Sequence, residues 1–134
     1  PYNINALTSH VAFNALSSQN IAKMRETARQ IRTERTKLIS SITSITGIGK
    51  ILGANDANFI LVQVLDEACE KPSNGRANWI YKELAERLGI VVRYRGNEFG
   101  CEGCLRITVG TPQENEVLLE NLRQLLEGTS VKST

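Results

Sequence analysis

A chain of 134 residues with 41% hydrophobic content holds enough apolar material for one ordinary core and too little for two independent domains. Sixteen basic side chains against fourteen acidic ones leave a net charge of +2, which argues against nucleic acid or an anionic membrane as the main partner. No apolar run approaches the roughly 20 residues that a membrane-spanning helix needs.

In chain order, Pro1-Tyr2-Asn3 offers neither an initiating Met nor a basic leader, and the chain reads as a soluble piece of something longer. A short helix is expected before residue 17, with Thr8 as cap and Val11, Ala12, Ala15 and Leu16 on its apolar side. Over residues 18–46, Met24, Ala28, Ile31, Leu38, Ile42 and Ile45 recur at helical spacing, interrupted by Arg35, and Gly47 is placed to end the run. Such a helix would reach roughly 40 Å, more than a domain of this size needs, which suits a connector between two bodies. A short strand is expected at residues 50–53. Another falls in the apolar run 58–65, which lacks strict alternation and so suggests cover on both faces. Residues 73–88 form a second long helix with Ile80, Tyr81, Leu84 and Leu88 inward and a Glu83–Arg87 pair outward. Strands follow at 90–94 and 105–109. The last helix opens on Thr111-Pro112-Gln113-Glu114, a capping box with proline in the first turn, and turns Leu118, Leu122, Leu125 and Leu126 toward the core before Gly128. Residues 129–134 read as an unstructured tail. The order predicts an α+β fold, a small, largely antiparallel sheet with helices packed on one face, preceded by the long helix.

The chemically informative stretch is 93–106. If the strands at 90–94 and 105–109 pair symmetrically across the loop, Arg93 stands opposite Arg106, Tyr94 opposite Leu105, Val92 opposite Ile107 and Ile90 opposite Val109. The apolar residues then share one face, leaving Arg93, Arg106 and Thr108 on the other. Opposed like charges cost stability unless an anion lies between or beside them, and two guanidinium forks on rigid strands suit a phosphate or carboxylate. The bland alternative is that each arginine pairs with Glu98 or Glu102, or projects into water. The glycine-rich loop between them is expected to be mobile and to border the site.

Cys69, Cys101 and Cys104 are too few and odd in number for a disulfide framework, so a reducing compartment is expected. Cys101-Glu-Gly-Cys104 has metal-ligand spacing, but only Cys69 and the single His10 remain as further ligands. It also leads into a strand, where a thioredoxin-type pair would precede a helix, so a buried Cys104 is the favoured reading. No nucleophilic triad or carboxylate pair is visible. Arg25, Arg29 and Arg32, interleaved with Glu26 and Glu34, read as a solvated helix face.

Gly89-Ile-Val-Val-Arg93, the glycine-rich loop and Cys104-Leu-Arg-Ile-Thr-Val-Gly-Thr111 resemble the C-terminal segment of histidinol-phosphate aminotransferases. The strand entry Ala57-Asn-Phe59 and the Pro1-Tyr2-Asn3 turn before a long helix match in order and rough spacing. The resemblance implies a cytoplasmic, homodimeric enzyme that uses pyridoxal phosphate to exchange an amino group between glutamate and imidazole-acetol phosphate in histidine biosynthesis. It implies that Arg106 receives the substrate's anionic end, with Arg93 the second arginine there. The carboxylate of glutamate and the phosphate of histidinol phosphate would use that end in turn. It further implies that the Schiff-base lysine and the cofactor-binding residues lie outside this chain. Residues 1–17 would then trail from the large domain, and 18–128 would be the connecting helix and small domain. By itself such a piece should be inactive. A free-standing α+β module that binds an anionic metabolite or serves regulation is the other reading.

Overall fold

The computed structural model describes residues 3–53 and 56–128. Helix α1 spans Ala6–Ala15 and α2 Ser18–Ile42. Strands β1 (Ile48–Leu52) and β2 (Phe59–Val64) follow, then α3 (Asn74–Arg87), β3 (Arg93–Tyr94), β4 (Cys104–Thr108) and α4 (Pro112–Glu127). The strands form one antiparallel sheet in the order β1-β2-β4-β3. The α+β class expected from the element order is the one observed.

One face of the sheet carries the core. Ile60, Val62 and Val64 of β2 and Leu105 and Ile107 of β4 pack with Leu38 and Ile42 of α2, Ala77, Ile80 and Leu84 of α3, and Leu118, Leu122 and Leu126 of α4. The strand period of two and the helix period near four thus meet in one cluster. β2 does alternate in burial, its Phe59, Leu61 and Gln63 being only half-buried. The double cover expected for this strand is therefore not supplied by the described residues.

The helix boundaries follow local chemistry. α1 begins one turn earlier than expected, because the Asn5 side chain, not Thr8, accepts the Thr8 amide. α1 buries no residue: Leu7, Val11, Phe13 and Leu16 are all exposed. α2 is capped by Ser17 and stops at Ile42, short of the expected 46; Ile45 is buried in the turn that follows. Its apolar stripe reaches the core only from Ile31 onward, whereas Met24 is 61% exposed. α3 begins behind the Ser73 cap, and Glu83 and Arg87 pair on its outer side as expected. α4 carries the capping box: Thr111 Oγ1 accepts the Glu114 amide while a Glu114 carboxylate oxygen accepts the Thr111 amide at 2.8 Å.

Candidate functional site: an arginine pair on the open sheet face

β3 and β4 pair with Arg93 opposite Arg106 and Tyr94 opposite Leu105, the register expected from symmetry about the loop. The ladder ends there. The Val92–Ile107 and Ile90–Val109 pairings do not form, and the Ile90 amide is held instead by the Leu84 carbonyl at 2.8 Å at the end of α3. The facial division holds even so. Val92, Leu105, Ile107 and Val109 are buried, Ile90 and Tyr94 half-buried, Arg93 and Thr108 exposed, and Arg106 half-buried.

On the open face, Arg106 stands opposite Leu61 of β2 and Arg93 of β3. Phe59, one step diagonal on β2, places its ring beneath the guanidinium, with Cζ 5.2 Å from the ring centroid. The acids nearest in sequence are engaged elsewhere or unpaired: Glu98 bonds Arg95 at 2.9 Å, and neither Arg93 nor Arg106 forms an ion pair with any described residue. The local-acid alternative is therefore not what the chain adopts. A surface depression of about 650 Å³ beside Asp66, Ser73, Arg76 and Trp79, and a groove of about 480 Å³ along Ile90, Val92 and Val117, are lined by neither arginine. The pair stands on an open surface rather than in an enclosed cavity.

The loop joining the two arginine strands, rich in glycine, is tied together by hydrogen bonds. It is a succession of turns, with Glu98 N–H donating to the Arg95 carbonyl, Cys101 to Glu98 and Cys104 to Cys101, at 3.0 to 3.1 Å. The Asn74 amide clasps both ends. Its Nδ2 donates to the Gly96 carbonyl at 3.1 Å, and its Oδ1 accepts the Gly103 amide at 2.7 Å. Gly103 has φ +70°, and a Cβ there would lie 2.7 Å from the Val64 carbonyl oxygen, so the close approach of loop to sheet requires glycine. Cys104 is buried as expected, which pushes its thiol up to about 11, the neighbouring Cys101 adding to the effect.

Three polar side chains with structural roles escaped the sequence reading. Besides Asn74, Arg76 reaches the carbonyls of Leu65, Asp66 and Leu126, tying α3 to the end of β2 and to α4. Asn115, the buried polar residue of α4, exchanges hydrogen bonds with both backbone groups of Gly110. His10 is exposed and within hydrogen-bond distance of Asn14, and Arg25, Arg29 and Arg32 lie exposed along α2, with Arg29 on Glu26, as a solvated helix face would have them.

A model of the class I and II aminotransferases matches residues 1–122. The chain belongs to that family. It is 48% identical over 128 residues to a histidinol-phosphate aminotransferase of Schizosaccharomyces pombe, covering 95% of this chain and 33% of that protein. It is 39% identical over 127 residues to one of Saccharomyces cerevisiae, covering 94% and 32%. The chain thus spans about a third of the length of the curated relatives it matches. Among solved structures, the fold is shared with a histidinol-phosphate aminotransferase from Clostridium acetobutylicum, at TM-score 0.74 and 24% identity over 96% of this chain and 35% of that one. It is also shared with a decarboxylase from Sulfurospirillum multivorans, at TM-score 0.75 and 21% identity over 94% and 30%. Aminotransferases of this family use pyridoxal phosphate, which condenses with a lysine, yet Lys23, Lys37, Lys50, Lys71 and Lys82 are all exposed on this surface.

Proposed function

We propose that this chain is the connecting helix and small domain, residues 18–128, of a histidinol-phosphate aminotransferase, with residues 1–17 trailing from its large domain. The complete enzyme exchanges an amino group between glutamate or 2-oxoglutarate and histidinol phosphate or imidazole-acetol phosphate. It does so with pyridoxal phosphate bound outside this chain, as a cytoplasmic homodimer in histidine biosynthesis. Among the described residues no helix is long and apolar enough to cross a membrane.

The observation that carries this reading is the register opposition of Arg93 and Arg106 without a neutralising acid. Two like charges so placed are relieved by an anion, and an anion common to both half-reactions, carboxylate in one and phosphate in the other, fits two planar donor forks on strands. The contribution of this chain to catalysis is then positioning: the charged end is fixed, and the amino-bearing end is set by distance from it. The half-exposed Leu52, Phe59 and Leu61 on the same sheet face, and the uncovered apolar residues of α1, are the surfaces that the remainder of the enzyme would cover. Coverage of only a third of each relative favours this reading over a free-standing anion-binding module.

In the complete enzyme, Arg106→Ala is expected to impair both half-reactions. The loss of a charge-assisted contact, about 1.5–3 kcal/mol, corresponds to roughly one to two orders of magnitude in kcat/KM. Steady-state kinetics with each substrate in turn measures this, and wild-type values with both would remove Arg106 from the site.

A further inference from the structure

Cys101 and Cys104 take no part in the proposed anion site, yet the fold places them at the two ends of one closed turn. They are the first and last residues of a turn closed by the Cys104 amide on the Cys101 carbonyl at 3.0 Å, with Gly103 in the left-handed conformation at the third position. Closed turns of this kind hold their end Cα atoms within about 7 Å, and a disulfide spans roughly 4.4–6.8 Å. Cys104 Sγ donates to the Glu102 carbonyl at 3.6 Å, and the neighbouring Cys101 thiol adds to the rise in its pKa. Among the described residues no third His, Cys, Asp or Glu completes a metal-ligand cluster around them. The only chemistry this pair can complete alone is with each other.

We propose that Cys101 and Cys104 are a modification site, a dithiol that closes to an intramolecular disulfide on exchange with a low-molecular-weight disulfide of the glutathione type. Cys101 is the half-exposed member and Cys104 the buried one, which sets the order of events. The Cys101 thiolate attacks one sulfur of the small disulfide, forming a mixed disulfide and expelling one thiolate. Cys104, deprotonated, attacks Cys101 Sγ and expels the second. Two electrons pass from the protein thiols to the small molecule. The two protons lost by the cysteines end on the two released thiols. The raised thiol of Cys104 makes the second step the slow one, while the shared turn keeps its partner sulfur within reach. Closure ties the loop to the first residue of β4, two positions before Arg106. In a reducing compartment such a bond is transient, formed when the thiol pool is oxidised. The inference does not rest on the transaminase reading.

The sequence provides a clean test. Trypsin releases residues 96–106 as one peptide containing Cys101 and Cys104 and no other cysteine, while Cys69 falls in a separate peptide. The protein as it is made is equilibrated with glutathione buffers from fully reduced to fully oxidised, quenched with an alkylating reagent, digested and weighed. The expected product under oxidising buffer is the 96–106 peptide lighter by two hydrogen atoms and carrying no alkyl group or glutathione, with Cys69 bearing glutathione instead. Cys104→Ser is expected to stop the reaction at the Cys101 mixed disulfide, and Cys101→Ser to leave Cys104 largely unmodified. Native far-ultraviolet circular dichroism of both variants guards against misfolding. A wild-type peptide that retains two alkylatable thiols, or that accumulates glutathione on Cys101 with Cys104 still free, overturns the proposal.

Discussion

At the residue scale, the energetics of the proposed site turn on Arg106 and the ring beneath it. The Phe59 face attracts the guanidinium and limits its rotamers, so the fork is held in place before an anion arrives. Replacing Phe59 by Leu keeps the apolar bulk but removes the quadrupole. The complete enzyme should then bind its anionic substrates about two- to fivefold more weakly, equivalent to about 0.5–1 kcal/mol, with kcat little changed. An unchanged KM would show that the ring contact is incidental. The arginine pair was legible in the sequence because strand pairing has a period of two and the apolar residues on either side of the loop fix the register by themselves. Asn74 and Arg76 were not. Their partners are backbone groups 10 to 50 residues away, and nothing local distinguishes an asparagine that caps a loop from one that merely starts a helix. Phe59 was read only as part of a strand entry, since its contact with Arg106 crosses two strands.

At the scale of elements, the loop between the arginine strands is held from outside itself. Asn74→Ala removes the two hydrogen bonds that join the start of α3 to both ends of the loop, and should cost about 1–2 kcal/mol in denaturant-induced unfolding. Hydrogen exchange at the Gly103 amide should quicken at the same time, and an unaltered exchange rate there would mean that the turns hold the loop unaided. α4 offers a pH-dependent counterpart. Hydrogen bonds from the Thr111 backbone amide and hydroxyl hold the Glu114 carboxyl below its ordinary range. A carboxylate whose pKa is lower folded than unfolded stabilises the fold above the unfolded value, and that contribution fades as pH falls through the folded one. The melting-temperature gap between wild type and Glu114→Gln should thus be present near neutrality and close under acid conditions; a gap independent of pH would contradict the linkage. This capping box was readable from four consecutive residues because both partners lie within one turn. The end of β3 was not, since whether residues 90–92 join the sheet depends on the competing bond from Ile90 to the end of α3.

At the scale of the whole molecule, the element order and apolar periodicities sufficed for the α+β class, because each buried stripe has one sheet face to meet. The double cover expected for β2 is not met among the described residues for a related reason: an apolar run states that a strand wants cover without stating which polypeptide provides it. Among the described residues the second face is open, and it is the face that carries Arg93, Arg106, Phe59 and Leu61. The same reasoning applies to α1, whose apolar side chains meet nothing among the described residues. Both surfaces are where the proposed large domain would close a cleft over the arginines, and the anion would be gripped at the rim of that cleft. The most direct test compares histidinol phosphate with histidinol, which lacks only the phosphate, in the complete enzyme and in its Arg106→Ala form. The wild type should favour the phosphorylated substrate strongly in kcat/KM, and the variant should lose most of that preference. A variant that discriminates between the two as well as the wild type does would show that the phosphate is held somewhere other than at this pair of arginines.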